Sequence, residues 1–241
     1  MSGRAAALLG SGEFEDWHDE VDAWLLERSD GDGSVLIFPT ASAREGEAVF
    51  DGWGRKGLDH FARVGIPAEV IPVRERADAM RDDVVARVGG ASLVFFSGGN
   101  PSYLARVLDG TPLWEAIRAR LTDGLAFAGC SAGVACLTGT TYDSDTDDID
   151  EVWRPGLGYT EPGVLFAPHW DIVDTWIEGA RSFIQRSTPL GGVLVALDED
   201  TAMVGDGMSW NVRGRQGIHV FRDGTWSDHP AGSSFELAVF S

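Results

Sequence analysis

Short, almost uninterrupted apolar runs alternate with amphipathic stretches along most of the chain. Residues 5–10, 35–39, 68–73, 93–97 and 125–129 are such runs. Continuous rather than alternating hydrophobicity suits strands buried on both faces, which predicts parallel strands. Between them, residues 15–28 set Trp17, Val21, Trp24 and Leu25 on one helical face. Residues 42–64 predict a longer helix, with the glycines at 52–57 as the place where it would break. Residues 78–88, Pro101–Leu108 and Pro112–Leu121 complete this helical set. The alternation predicts an α/β fold, a mostly parallel sheet flanked by helices on both faces.

Residues 138–163 break the pattern: glycine, threonine and acids with little periodicity. They predict a long loop at the carboxyl ends of the strands, where open α/β sheets place their sites. Helical spacing returns at 172–186, Val193–Leu197 predicts another buried strand, and the tail from Ala202 predicts short antiparallel strands. Turns are expected there at residues 206–207 and 223–224. No repeat and no interdomain linker stands out, so residues 1–241 are expected to form a single α/β domain.

Composition narrows the partners. Hydrophobic residues make up 44% and charged residues 24%, as in an ordinary soluble globule. The net charge of −19 argues against nucleic acid, which needs a basic footprint. The first twelve residues are too short for a signal peptide, and no segment is long enough to span a bilayer. A cytoplasmic protein with no membrane partner is expected. Cys130 and Cys136 are too few for a disulfide framework, and no His or Cys cluster has zinc-ligand spacing. No metal and no cofactor is expected.

The chemistry concentrates after the fifth apolar run. Residues 125–128 lead into Gly129-Cys130-Ser131-Ala132-Gly133, followed by a helical stretch. This is the Gly-x-Ser-x-Gly nucleophile elbow in its strand–turn–helix setting, after a strand expected near the sheet centre. Small neighbours are needed because the turn is strained and pushes the serine outward. The helix that follows aims its first amides at the site. A second strand ends in Gly98-Gly99-Asn100, where glycines let backbone amides approach an oxyanion. Of the five histidines, His169 stands at the end of an apolar run and the start of a helix, a fitting place for a general base. His18 and His60, in amphipathic stretches, and His229, in a polar tail turn, look structural or incidental. Asp198, Glu199 and Asp200 close the strand Val193–Leu197, and one of them would hold the imidazole.

These pieces resemble the peptidase E and cyanophycinase family of serine peptidases. The matching segments are Leu8-Leu-Gly-Ser-Gly-Glu13, Phe96-Ser-Gly-Gly-Asn100, Gly129-Cys-Ser-Ala-Gly133, Pro168-His169 and Leu197-Asp-Glu-Asp-Thr-Ala202, in the family's order. The resemblance implies a class I glutamine amidotransferase-like fold, a flavodoxin-like three-layer arrangement. It implies Ser131 as nucleophile, His169 as base, Glu199 as the orienting acid, and the amides of Gly99 and Ala132 as oxyanion hole. It also implies small peptide substrates, with aspartate-containing dipeptides or the aspartate–arginine polymer cyanophycin among them, and a monomer or homodimer. Two positions depart from the pattern: Ser11 replaces a common glycine, and Cys130 precedes the serine. Since Ser131 holds the nucleophile position, Cys130 is expected to be structural.

Asn100 and Arg154 are candidate substrate contacts, the arginine through its carboxylate-matching fork. The acids Asp143, Asp145, Asp147, Asp148, Asp150 and Glu151 could attract arginine-bearing substrates or simply form a solvated loop. Two rivals remain. An α/β-hydrolase esterase would draw its base from His219 or His229, and a non-catalytic binding or sensing protein could use the same scaffold.

Overall fold

The computed structural model describes residues 5–146 and 148–240. In chain order its strands are β1 (Ala6–Leu9), β2 (Val35–Phe38), β3 (Ala68–Val70), β4 (Leu93–Phe96), β5 (Ala126–Cys130), β6 (Thr140–Tyr142) and β7 (Trp153–Pro155). They continue as β8 (Val164–Ala167), β9 (Val193–Leu197), β10 (Thr201–Gly205), β11 (Ser209–Gly214), β12 (Gly217–Arg222), β13 (Thr225–Pro230) and β14 (Ser234–Glu236). The helices are α1 (Asp19–Glu27), α2 (Glu47–Arg63), α3 (Asp82–Arg87), α4 (Pro101–Leu108), α5 (Pro112–Leu121), α6 (Ala132–Ala135), α7 (Val173–Trp176) and α8 (Ala180–Ser187).

The five apolar runs become β1 to β5, fully buried except for the half-buried β3. Within an eight-stranded sheet of order β14-β11-β10-β1-β5-β4-β2-β3, the strands from β1 to β3 are mutually parallel. The antiparallel tail begins with β10, which pairs with β1 and extends the same sheet through β11 and β14. A second sheet, β13-β12-β9-β8, takes the expected strand β9 and pairs it in parallel with β8.

Alternation of side chains sorts the core into layers. Leu9, Ile37 and Phe95 face one way and pack with Val21, Leu25 and Phe61 of α1 and α2. Leu8, Phe38 and Phe96 face the other way, into a larger core with Leu104 and Trp114 of α4 and α5. Phe166, Val195 and Leu197 of the second sheet close that core from the far side. The expected α/β fold, with helices on both faces, is present.

Three expectations need correction. Helix α2 runs unbroken through Gly52, Gly54 and Gly57, the last two of which sit against the sheet. A Cβ on Gly54 would lie 3.0 Å from Val70, and one on Gly57 2.8 Å from Ile37. The helical pattern at 172–186 divides into α7 and α8, since Gly179 takes a left-handed conformation (φ 79°) between them. The loop at 138–163 contains an antiparallel pair, β6 with β7. Strands of three residues are too short to show periodicity.

His18 and His60 do prove to be core residues, and they meet. Oδ2 of the fully buried Asp22 lies 3.0 Å from His18 Nδ1 and 2.6 Å from His60 Nε2. This cluster ties α1 to α2 under the sheet. Burial opposes ionisation of Asp22, but the charges and hydrogen bonds of His18 and His60 outweigh it and hold its pKa below the ordinary value. A depressed folded pKa contributes stability that is present above the unfolded value of about 4 and is lost as pH falls through the folded one.

Asp22→Ala is expected to lower the unfolding free energy by about 3 kcal/mol at pH 7, because it strands buried partners. Urea titrations should show the gap to wild type shrinking as pH falls from about 4. A gap that stays constant over that range would contradict the assignment.

Candidate active site

Ser131 sits at φ 50°, ψ −105°, a backbone conformation that few non-glycine residues adopt. The elbow holds it there from both sides. The Ser131 amide donates to the Leu9 carbonyl of β1 at 3.0 Å, while its own carbonyl accepts the amides of Val134 and Ala135 at 3.0 Å each. A Cβ on Gly129 would lie 2.5 Å from the Gly133 carbonyl oxygen, and one on Gly133 would collide with the Phe96 carbonyl. The two glycines are therefore steric requirements: strand β5, helix α6 and strand β4 approach closer than any side chain allows.

His169 follows β8 in a left-handed conformation of its own (φ 58°). Its Nε2 lies 2.7 Å from Ser131 Oγ, and its Nδ1 lies 2.5 Å from Glu199 Oε1. A carboxylate can only accept, so Nδ1 carries the proton and the Nε2 lone pair faces the serine hydroxyl. Glu199 follows β9, the parallel neighbour of β8. Its amide donates to Asp171 Oδ1 at 2.8 Å, and Gln216 Nε2 donates to Asp171 Oδ2 at 2.8 Å, which fixes the turn.

The three acids after β9 separate in the turn that follows it, where Asp200 takes a left-handed conformation (φ 51°). Asp198 points to His219, with Oδ2 2.9 Å from Nε2, and also accepts the Gly217 amide at 3.2 Å. Asp200 turns toward Arg215 at 3.3 Å. His219 is held on its other side by Asp228 at 2.7 Å, and His229 lies 3.2 Å from Ser227 Oγ. Neither is bonded to Ser131, so the base that an esterase reading would need is committed elsewhere.

Gly99 (φ 137°) follows β4, with its Cα packed against the backbone of Ala41 and Ser42. Its amide and that of Ala132 donate to no acceptor among the described residues. The amide before them does have a partner: Gly98 donates to Glu13 Oε1 at 3.1 Å, and Cys130 Sγ donates to Glu13 Oε2 at 2.8 Å. The buried Glu13 thus braces both glycine-rich turns from beneath. Its motif was visible in the sequence, but nothing in a linear pattern shows which turn a carboxylate will reach.

Asn100 and Arg154 have other partners. Asn100 Oδ1 caps α4 by accepting the Tyr103 amide at 2.9 Å, and its Nδ2 donates to Asp143 Oδ1 at 2.7 Å. That bond is the first cause holding the Asp143 carboxyl below its usual value. Arg154 donates to the carbonyls of Glu151 (2.5 Å) and Trp153 (2.9 Å). In the acidic segment Asp145 pairs with Arg44 at 3.0 Å, and Asp147 lies outside the described residues. Sequence reading missed the cavity of about 540 Å³ beside Ser131 and His169, walled by β6, β7, α7 and α8. Its walls come from segments with weak or misread periodicity.

Comparisons with known proteins bear on the family and the fold. The model of the family described as peptidase family S51 matches residues 6–212. A crystal structure of a peptidase from an acI-B1 Actinobacterium superposes with a TM-score of 0.87 at 30% identity, covering 98% of this chain and 97% of that one. Among curated proteins, the cyanophycinase of Synechococcus elongatus is 28% identical over 211 residues, 83% of this chain and 62% of its own length. That of Nostoc sp. (strain PCC 7120 / SAG 25.82 / UTEX 2576) is 35% identical over 187 residues, 73% of this chain and 58% of its own. The chain therefore spans about three fifths of the length of these curated relatives.

Both cysteines are buried, and burial pushes their thiols up, with Glu13 adding to the effect at Cys130. Thiolates are the reactive form. Iodoacetamide at pH 8 should leave both unmodified in the native protein and alkylate both in urea, as read by intact mass. Rapid native labelling of Cys130 would show that Glu13 does not hold it as a thiol.

Proposed function

The chain belongs to peptidase family S51, and on that premise we propose that it hydrolyses small peptides through an acyl-enzyme on Ser131. The observation that carries this reading is the bonded line from Glu199 through His169 to Ser131 Oγ. Removal of the hydroxyl proton by Nε2 makes Ser131 nucleophilic as it attacks the scissile carbonyl. Negative charge then collects on the carbonyl oxygen, and the free amides of Gly99 and Ala132 are the donors available to it. Collapse of the tetrahedral intermediate breaks the C–N bond, and the imidazolium returns its proton to the leaving amine. Water, deprotonated by the same imidazole, releases the acyl group.

Glu199 acts through orientation and charge. It keeps the Nδ1 tautomer in place and stabilises the imidazolium without itself accepting the proton. The site lies in a recess between two sheets and two short helices, a setting that suits a short peptide better than a folded protein.

Ser131→Ala should reduce kcat on a cleaved dipeptide by about 10⁴–10⁶-fold with little change in thermal stability. His169→Ala should come close to that loss, and Glu199→Gln should cost less. The Ser131/His169 double variant should be little worse than either single one, since the two act as a unit. Retention of more than about a tenth of wild-type activity in Ser131→Ala would end this assignment, as would an inactive His219→Ala beside an active His169→Ala.

A further inference from the structure

The cavity beside Ser131 has walls that the acyl-transfer chemistry does not require. Trp153, Phe166, Val173, Trp176, Ile177 and Phe183 supply much of its lining. The Trp153 and Phe183 rings stack at 5.9 Å and 9°, which forms a flat apolar wall. Trp176 stands over the catalytic base, its ring 5.0 Å from that of His169. Trp176 and its neighbour Ile177 are nonetheless 60% and 52% exposed. Large apolar side chains left in water at the mouth of a recess mark a surface that an occupant covers. The volume of about 540 Å³ falls within the range of ordinary ligand sites.

Charge at the cavity points the same way. Among the described residues no lysine or arginine lines it, whereas Asp143 does. An acidic side chain would meet Asp143 and find no cation in the walls, since Arg44 and Arg154 act on Asp143 from outside them, which is costly in a recess this apolar. An arginine would fare little better. Asp143 Oδ1 already accepts from Asn100 Nδ2 at 2.7 Å and from the Asp145 amide at 3.2 Å, so Oδ2 is the carboxylate oxygen left for a guanidinium with five donors, and its remaining partners would be hydroxyls such as those of Ser144 and Thr146.

We infer that this cavity receives a large apolar side chain, aromatic or branched aliphatic, from a residue flanking the scissile bond. The substrates are then small peptides carrying such a residue, rather than aspartate-directed or arginine-bearing ones. The inference rests on the reading of Ser131 as the nucleophile, and the two fail in different ways.

A small fluorophosphonate tests the nucleophile alone: absence of labelling at Ser131, together with no hydrolysis, removes that premise and the inference with it. With labelling in hand, a dipeptide library varied at both positions reads the cavity. Phe, Trp or Leu at one of the two positions should raise kcat/KM about 100-fold over Asp, Arg or Gly there. Trp176→Ala should raise KM for the apolar substrates about tenfold, the loss expected from one buried contact surface. Trp176→Phe should recover most of it. Because Trp176 is largely exposed, its replacement does not endanger folding. Normal labelling with a preference for Asp or Arg at both positions, or an unchanged KM in Trp176→Ala, would overturn the inference and leave the hydrolase reading intact.

Discussion

The contact between His169 and Ser131 joins two sheets that share no strand. Ser131 leaves the large sheet at the end of β5, while His169 and Glu199 leave the small one at the ends of β8 and β9. The 2.7 Å separation of Nε2 and Oγ therefore depends on how far apart the sheets are held. That spacing is set by the core between them, where Leu8 and Phe96 belong to one sheet and Phe166, Val195 and Leu197 to the other. Such interiors are packed nearly as densely as organic crystals and do not deform gradually. A misplacement of about 1 Å can cost roughly 100-fold in rate, so under the proposed mechanism the core is part of the chemistry.

The elbow shows the same economy at shorter range. Its glycines serve a close approach of backbones that carries Ser131 into its unusual conformation, and the bonds to Leu9, Val134 and Ala135 hold it there. Beneath it, Glu13 accepts one hydrogen bond from the amide of Gly98 and another from the thiol of Cys130. One buried carboxylate from the β1 loop thereby steadies the turns on both sides of the proposed oxyanion hole. Cys130 is committed as its donor, which gives a structural account of a buried thiol next to the proposed nucleophile.

The rim of the site has a different origin from its floor. The floor is regular structure, strands and their carboxyl-end turns, whereas the rim is the β6–β7 pair and the broken helix α7–α8. Rigid strands position reacting atoms, and irregular segments above them are free to shape the recess. Asn100 links the two, capping α4 with one end of its amide and holding Asp143 of the rim with the other.

The parallel core was legible because burial on both faces leaves a mark in consecutive residues, as in Val35–Phe38 and Leu93–Phe96. The elbow was legible because strain demands small residues at fixed spacing, and His169 and the acids of 198–200 stood where strands end. The choice of Glu199 among those three acids comes from family resemblance; in the fold Glu199 is the one bonded to His169, because the turn after β9 sends Asp198 to His219 and Asp200 to Arg215. Tertiary structure alone decided the rest. It brought Asp22, His18 and His60 together, turned Arg154 onto neighbouring carbonyls, and walled the cavity with Trp153, Trp176 and Phe183. Local periodicity records which face of an element is buried, but it carries no record of which distant element that face will meet.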